Sequence, residues 1–473
     1  MGPNFKRPAA PEVSGYTARA PEPTVSTPGV LGGESQRFLP GADISADWWT
    51  LFHSAQLNDL IGHALKNNPD LTGAQAALLA AREGVLAQRG VYYPSVTADF
   101  SATRQEQSGV IAPTLASNAL AFNLFTPEVT VSYMPDVFGL NRRTVESIEA
   151  QAQAVRFQMI ATYNTLIANV VVTAIQQGSV QLQIEATHQL IDIDTNVLKI
   201  MRYQLAKGYA NGLDVAAQAS QLAQVQATLP PLEKQAAQLR DLMATLAGEF
   251  PSQGPEGNFD LASLRLPQDL PVSVPADLVT QRPDVRQAEA DLHDASAKIG
   301  IAEANRLPNI TLTANTGSSA STINQLFTSG TGFWSLGADL TAPIFQGGAL
   351  LHQEHAAKAT YAQAAAQYRS TVLAACQNVA DTLAALSTDA DGLKAASTAA
   401  DAAKTTLDLS EHQWKDGYAG YLVLLSAQQA YQQARINLVQ AQASRYADTA
   451  ALFQALGGGW WNRQDLASEN HGK

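Results

Sequence analysis

Four short segments alternate strictly between apolar and polar residues. In residues 95–102, Val96, Ala98, Phe100 and Ala102 fall on one side and Ser95, Thr97, Asp99 and Ser101 on the other. Residues 128–133 set Val129, Val131 and Tyr133 against Glu128, Thr130 and Ser132. Further on, Ile310, Leu312 and Ala314 oppose Thr311, Thr313 and Asn315, and Trp334, Leu336, Ala338, Leu340 and Ala342 oppose Ser335, Gly337, Asp339 and Thr341. A period of two is the mark of a β-strand with two unlike faces. The pattern predicts strands at about 95–104, 125–134, 308–317 and 333–342.

Each run is close to the length of a tilted membrane strand, about 9–11 residues. Aromatics at the flanks (Tyr92, Tyr93, Phe122, Phe125, Phe333 and Trp334) suit the two interfaces of a bilayer. A water-soluble sheet with one wet face accounts for any one strand alone; four matching strands favour a membrane barrel. Four strands cannot close one, since about eight are the minimum, and an open edge in lipid leaves backbone groups unpaired. Several chains must therefore pool their strands, and three chains supply about twelve, enough to enclose a lumen. Asp99, Glu128 and Asp339 fall on the polar, lumen side.

The helical signal is unusual in its length. No proline interrupts residues 141–206 or 347–415, which read as Ala/Gln/Val/Leu-rich helices at about 141–207 and 347–416. At 1.5 Å per residue each is roughly 100 Å long. Rods of that length need coiled-coil partners. Shorter helices follow each, at 213–248 and 422–457.

The two sets of elements say the same thing twice. Asn68-Pro69-Asp70 is answered about 214 positions later by Arg282-Pro283-Asp284; Lys207-Gly208-Tyr209-Ala210 is echoed in the same order by Asp416-Gly417-Tyr418-Ala419. Pro94 pairs with Pro308, Met134 to Gly139 with Ala342 to Gly347, and Leu246-Ala247-Gly248 with Leu456-Gly457-Gly458. The chain divides accordingly into an extended Pro-, Gly- and Ser-rich segment (1–46), a first repeat (47–250), a Pro-rich linker (251–280), a second repeat (281–460) and a tail (461–473). The fold class is mixed α/β, a pooled barrel continued by a helical coiled coil with an internal two-fold repeat.

Composition narrows the function. Charged residues make up 15% of 473, and the net charge of −12 argues against nucleic acid as a partner. The single cysteine, Cys376, excludes a disulfide framework and reads as a buried structural thiol. No run approaches the roughly 18 apolar residues of a membrane helix; the longest, 166–175, contains Asn169. Met1-Gly2-Pro3-Asn4 has neither a basic region nor an apolar core, so it reads as a mature start and not a signal peptide. No phosphate loop, zinc-protease or nucleophile-elbow motif is present. His352 and His355, beside Glu354, have helical spacing for a metal, but two exposed helical histidines are the plainer reading. The sequence therefore predicts no catalytic residues and no cofactor.

Several motifs together carry a resemblance. Gly2-Pro3-Asn4-Phe5-Lys6-Arg7-Pro8, Asp47-Trp48-Trp49-Thr50-Leu51-Phe52, Leu57-Asn58-Asp59-Leu60, the junction Tyr133 to Gly139, Arg282 to Glu289 and Leu456-Gly457-Gly458-Gly459-Trp460 run almost end to end. On these the chain resembles the TolC-type outer-membrane channels of Gram-negative bacteria, in their lipoprotein branch. The resemblance implies a homotrimer with a twelve-stranded outer-membrane barrel and a periplasmic helical tunnel. It also implies a periplasmic adaptor (membrane fusion) protein and an inner-membrane pump of RND, major-facilitator or ABC type. A native lipid anchor at the position of Met1 is a further expectation. The function implied is a passive exit duct for drugs and small toxic molecules. A protein-secretion conduit fits the lipoprotein-like start less well, and a purely structural periplasmic coiled coil leaves the strands unexplained.

By the same resemblance the two helix-to-helix turns form the tip that docks the adaptor, through Gly208, Tyr209, Gly212, Gly417, Tyr418 and Gly420, and closes the pore. Glycine permits the sharp reversals. Arg202, Tyr203, Asp214, Trp414 and Asp416 flank the closure. Asp214 matches a family acidic residue, though a helix N-cap explains it equally. Better-known members place a tyrosine, an arginine and aspartates at the constriction; here Trp414, Ala419, Val423 and Ser426 stand there. Leu422, Leu424 and Leu425 remain, and predict an apolar constriction that closes by dewetting.

Overall fold

The structure is a computed structural model that describes residues 1–106, 108, 110, 120–254 and 259–463. In chain order it contains β1 (Arg37–Pro40), α1 (Ala55–Asn67), α2 (Pro69–Arg89), β2 (Ser95–Glu106), β3 (Ala121–Tyr133), α3 (Leu140–Ala206) and α4 (Gly212–Leu246). Then come β4 (Asp269–Val272), α5 (Pro275–Gln281), α6 (Pro283–Ala304), β5 (Asn309–Ser318), β6 (Gly332–Thr341), α7 (Ala349–Lys415) and α8 (Tyr421–Ala455). The two longest helices have 67 residues each and the two that follow them 35 each. Apart from residues 461–463, the expected tail lies outside the described residues. The chain forms two compact units.

The first unit comprises Met1–Arg7, Leu78–Val155 and Ala288–Tyr368. Its sheet has the order β2-β3-β5-β6, antiparallel throughout. Two-residue alternation places Val96, Phe100, Val129, Trp334, Leu336 and Leu340 on one face, all of them exposed in the chain. Strand β3 starts at Ala121, earlier than the expected 125, because Phe122 to Leu124 extend the ladder against Thr103 to Gln105. Where β3 gives way to α3, Asp136 accepts from the backbone N–H groups of Asn141 and Arg142, both at 2.9 Å, and so caps the helix. The N-terminus is fixed rather than loose. The Met1 amine donates to Phe138 O at 3.0 Å, and Arg143 donates to Met1 O at 3.0 Å and Asn4 Oδ1 at 2.8 Å. Gly2 passes Gly300 so closely that a Cβ there would stand 2.4 Å from the Gly300 Cα.

The second unit comprises Pro8–Ala77, Arg156–Gln287 and Arg369–Lys473. A two-stranded parallel sheet joins β1 to β4. Pro271 hides the alternation of Leu270 and Val272, so the linker gave no strand signal. Trp48 stacks on Phe453 at 5.1 Å beside buried Phe52 and Tyr446. The Arg-Pro-Asp motif closes a helix end: Arg282 grips Asp284 in a two-point pair at 2.9 and 2.6 Å and donates to Ala455 O, at the end of α8, at 2.9 Å. Asn68 does the same for α4, donating from Nδ2 to Leu246 O at 3.0 Å while its Oδ1 caps α2 at Leu71 N. Gly248 and Gly457 have positive φ, and a Cβ on either would strike the carbonyl of Asn67 or Gln281.

Two expectations need correction. Helix α3 does contain a stretch apolar enough to cross a membrane, but 67% of it is buried in the chain, as in a core helix. Cys376 is half-buried in α7, not fully enclosed.

Candidate functional site

The α3–α4 and α7–α8 turns belong to the second unit, and each is built by the same local chemistry. Gly208 and Gly417 both take φ +80°. Tyr209 N donates to Gln204 O and Tyr418 N to Gln413 O, each at 2.8 Å, while Gly208 N and Gly417 N bond three residues back. These are Schellman closures, which need a left-handed residue. Gly212 and Gly420 do not share the reason: both have ordinary φ and open space around them. The α4 cap is Asn211, whose Oδ1 accepts from Asp214 N at 2.8 Å. Asp214 therefore sits in the first turn of α4 and is not the N-cap. Tyr209 and Tyr418 are both strongly exposed, at 83% and 86%. Arg202 and Asp416 are also exposed, and Lys207 Nζ lies 5.7 Å from the Tyr203 ring.

The leucines separate. Leu424 is completely buried, with Trp414 nearly so, in a cluster with Val197, Met201, Leu407, Tyr421 and Ala427. Leu425 packs against the edge of that cluster. Leu422 is exposed, with Val423 beside it. Of the three leucines, Leu422 alone is free to line a constriction; Leu424 and Trp414 hold the helices of the chain together.

Sequence reasoning missed a polar group inside this cluster. Tyr421 Oη donates to Gln218 Oε1 at 2.7 Å, and Gln218 Nε2 donates to Asp194 O at 3.1 Å. The chain of bonds ties α8 through α4 to α3. Asp194 is 2% exposed. Burial pushes its carboxyl up to about 6, partly offset by Gln218. Burial likewise raises the Tyr421 phenol, with the carboxylates of Asp194 and Asp214 adding to it. No local signal marked these residues, because glutamine and aspartate on an Ala/Gln-rich helix look like solvent-facing positions.

The raised carboxyl has a direction. Below the ordinary aspartate range Asp194 is protonated folded or unfolded. Between about pH 4 and 6 only the unfolded chain gives up the proton, so stability falls as pH rises through that window and stays lowered above it. Asp194→Asn is expected to flatten this slope and to raise stability at pH 8 by about 2 kcal/mol. Thermal melts of both proteins at pH 4.5 and pH 8 check it; an equal gap at the two values contradicts it.

On the strands, polar residues meet in register across the sheet. Asp99 faces Glu128, Glu128 Oε1 accepts from Asn315 Nδ2 at 2.6 Å, and Asn315 Oδ1 accepts from Ser335 Oγ. Asp339 lies opposite Thr311. Glu354 is taken up by Lys358 at 2.6 Å and by Arg306, and among the described residues no group of three or more metal-type side chains forms around His352 and His355.

Long paired helices, a four-stranded sheet with one apolar exposed face and closed helical hairpins have close counterparts. The profile of outer membrane efflux proteins matches residues 60–249 and 274–458. The pyoverdine export outer membrane protein OpmQ of Pseudomonas aeruginosa is 30% identical over 430 residues, covering 89% of this chain and 90% of its own. The solvent efflux pump outer membrane protein SrpC of Pseudomonas putida is 30% identical over 463 residues, covering 97% and 95%. The solved outer membrane channel CmeC of Campylobacter jejuni superposes with a TM-score of 0.88 at 20% identity, over 99% of this chain and 97% of its own, a likeness of fold. The chain belongs to the outer membrane efflux protein family and is an efflux channel of the outer membrane.

Proposed function

We propose that three copies of the chain close one twelve-stranded barrel, each giving β2, β3, β5 and β6. The observation that carries this is the sheet itself. Among the described residues its edge strands β2 and β6 have no neighbour on their outer sides, and its apolar face is exposed. An edge of this kind in lipid must be paired. The barrel is passive. It gives small toxic molecules an exit, fed by an inner-membrane pump through a periplasmic adaptor. SrpC belongs to a solvent efflux pump and OpmQ to pyoverdine export, which favours small molecules over proteins as cargo. The pump is of RND, major-facilitator or ABC type. A lipid at the N-terminus would add a second anchor.

The two halves, 47–250 and 281–460, form a structural repeat. In support, Asn68 and Arg282 each cover the last carbonyls of the helix that ends beside them, and Gly248 and Gly457 each make the close approach that follows. The turns at Gly208 and Gly417 form the tip. Tyr209 and Tyr418 meet the adaptor, and the closure around Asp214, Asp416 and Leu422 is apolar at its centre.

Asp99, Glu128 and Asp339 face the lumen and favour cations. The experiment is a reversal-potential measurement in planar bilayers under a KCl gradient. Cation preference that weakens in Asp99→Asn/Glu128→Gln is the expected result. Anion preference, or a preference the two substitutions leave unchanged, counts against the lumen assignment. Absence of any conductance counts against the channel.

A further inference from the structure

Pro230 and Pro231 lie inside α4. Neither has an N–H to give the carbonyl four residues earlier, so the carbonyls of Gln226 and Ala227 lose their helical donors. Thr228 Oγ1 donates to Val225 O, three residues back, at 2.7 Å. Elsewhere in the long helices threonines reach four residues back, as from Thr144 to Leu140, Thr187 to Gln183 and Thr245 to Asp241, and Thr388 reaches both Ala384 and Ala385.

Packing changes at the same place. Gln218, Gln221 and Val225 are buried on one side of the prolines, and Leu239, Met243 and Ala244 on the other; between residues 226 and 238 no residue is buried. Both ends of α4 are held. Gln218 and Gln221 bond to Tyr421 and Gln429 of α8, and Leu246 O is held by Asn68. The middle has neither a full hydrogen-bond ladder nor a buried side chain.

Helix α8, the counterpart of α4 in the repeat proposed above, serves as a control. It has the same 35 residues and follows the same Gly-Tyr-Ala turn, yet contains no proline. The register set by Gly208 and Gly417 places Val439 and Gln440 where α4 has its prolines. In the matching stretch, 435–447, Leu438, Val439, Arg445 and Tyr446 are buried. One of two like helices carries a proline pair and buries no residue along 226–238, and the other does neither.

We propose that the Pro230–Pro231 step is a joint in α4, about which the tip-side segment, residues 212–229, pivots when the tip opens. The inference rests on the reading of the two turns as the closing tip. It gives α4 a moving part that proline-free α8 lacks, so the two arms of the tip are mechanically unlike.

The test copies α8 into α4: Pro230→Val with Pro231→Gln, in the full-length channel. Hydrogen exchange is followed across residues 224–236, and spontaneous openings are counted in planar bilayers. The expected result is exchange slowed at least about tenfold, as in a repaired helix, with openings several-fold rarer and assembly mass unchanged. Exchange at the wild-type rate overturns the joint. Slowed exchange with unchanged openings overturns its link to opening. A drop in assembly mass also overturns it, because the prolines would then serve a contact between chains. Leu422→Ser, which probes the closure without touching α4, reports separately on the tip reading: if it leaves the closed state unchanged, that reading fails, whatever α4 does.

Discussion

Arg445→Ala is expected to cost about 3–5 kcal/mol, among the largest single losses in the chain. The guanidinium is fully buried. It donates to the carbonyls of Gly32, Glu34 and Leu386 at 3.3, 2.9 and 3.0 Å and to Thr24 Oγ1 at 3.4 Å. Three of those acceptors lie in residues 24–34, so one side chain fastens the N-terminal segment to α7 and α8. Alanine leaves the carbonyl of buried Gly32 without this donor and releases those of Glu34 and Leu386. It also removes the cation that faces Asp389, whose carboxyl burial and the neighbouring Asp448 already push up to about 7. Melting temperature and limited proteolysis within residues 24–36 check the prediction together. The variant is expected to be cut there first; a variant that melts like the parent and resists cleavage contradicts the assignment.

Leu424→Ala is the second large effect, at about 2–5 kcal/mol for a fully enclosed leucine. Its side chain fills the cluster of Val197, Met201, Trp414 and Tyr421, so the cavity opens where α3, α7 and α8 meet. The loss is local to the tip and is expected to appear as a leaky closed state in bilayer recordings, with the barrel conductance intact. Leu422→Ser offers the contrast. Leu422 is 71% exposed, so the substitution is expected to leave stability within about 0.5 kcal/mol while raising closed-state current by wetting the constriction. If Leu424→Ala leaves the closed state tight, the tip is not held by this cluster.

The strands were legible because period-two alternation survives in a membrane sheet with two unlike faces. The long helices were legible because no proline interrupts 141–206 or 349–415. The tip was legible only in part. Gly208 and Gly417 were visible through the turn chemistry that requires them, whereas at Gly212 and Gly420 the reversal makes no demand for glycine. Leu422 and Leu424 look alike in sequence; their two-residue offset on a helix puts one outside and one inside, and the weak amphipathicity of an Ala-rich rod hides which. Asp194, Gln218 and Arg445 were invisible for the opposite reason. They are polar residues spent on buried bonds between segments up to 421 positions apart, which no local pattern records. The short parallel pair β1–β4 was missed because its partners lie 232 residues apart and each has only four residues.

The claim on which the rest depends is that chains pool their strands. Light scattering of the detergent-extracted particle, corrected for bound detergent, tests it most directly. Three chains of 50.2 kDa give about 150 kDa, and that is the mass expected. A particle of one chain, extracted without detergent, would contradict it: the sheet would then keep both edges open and enclose no path.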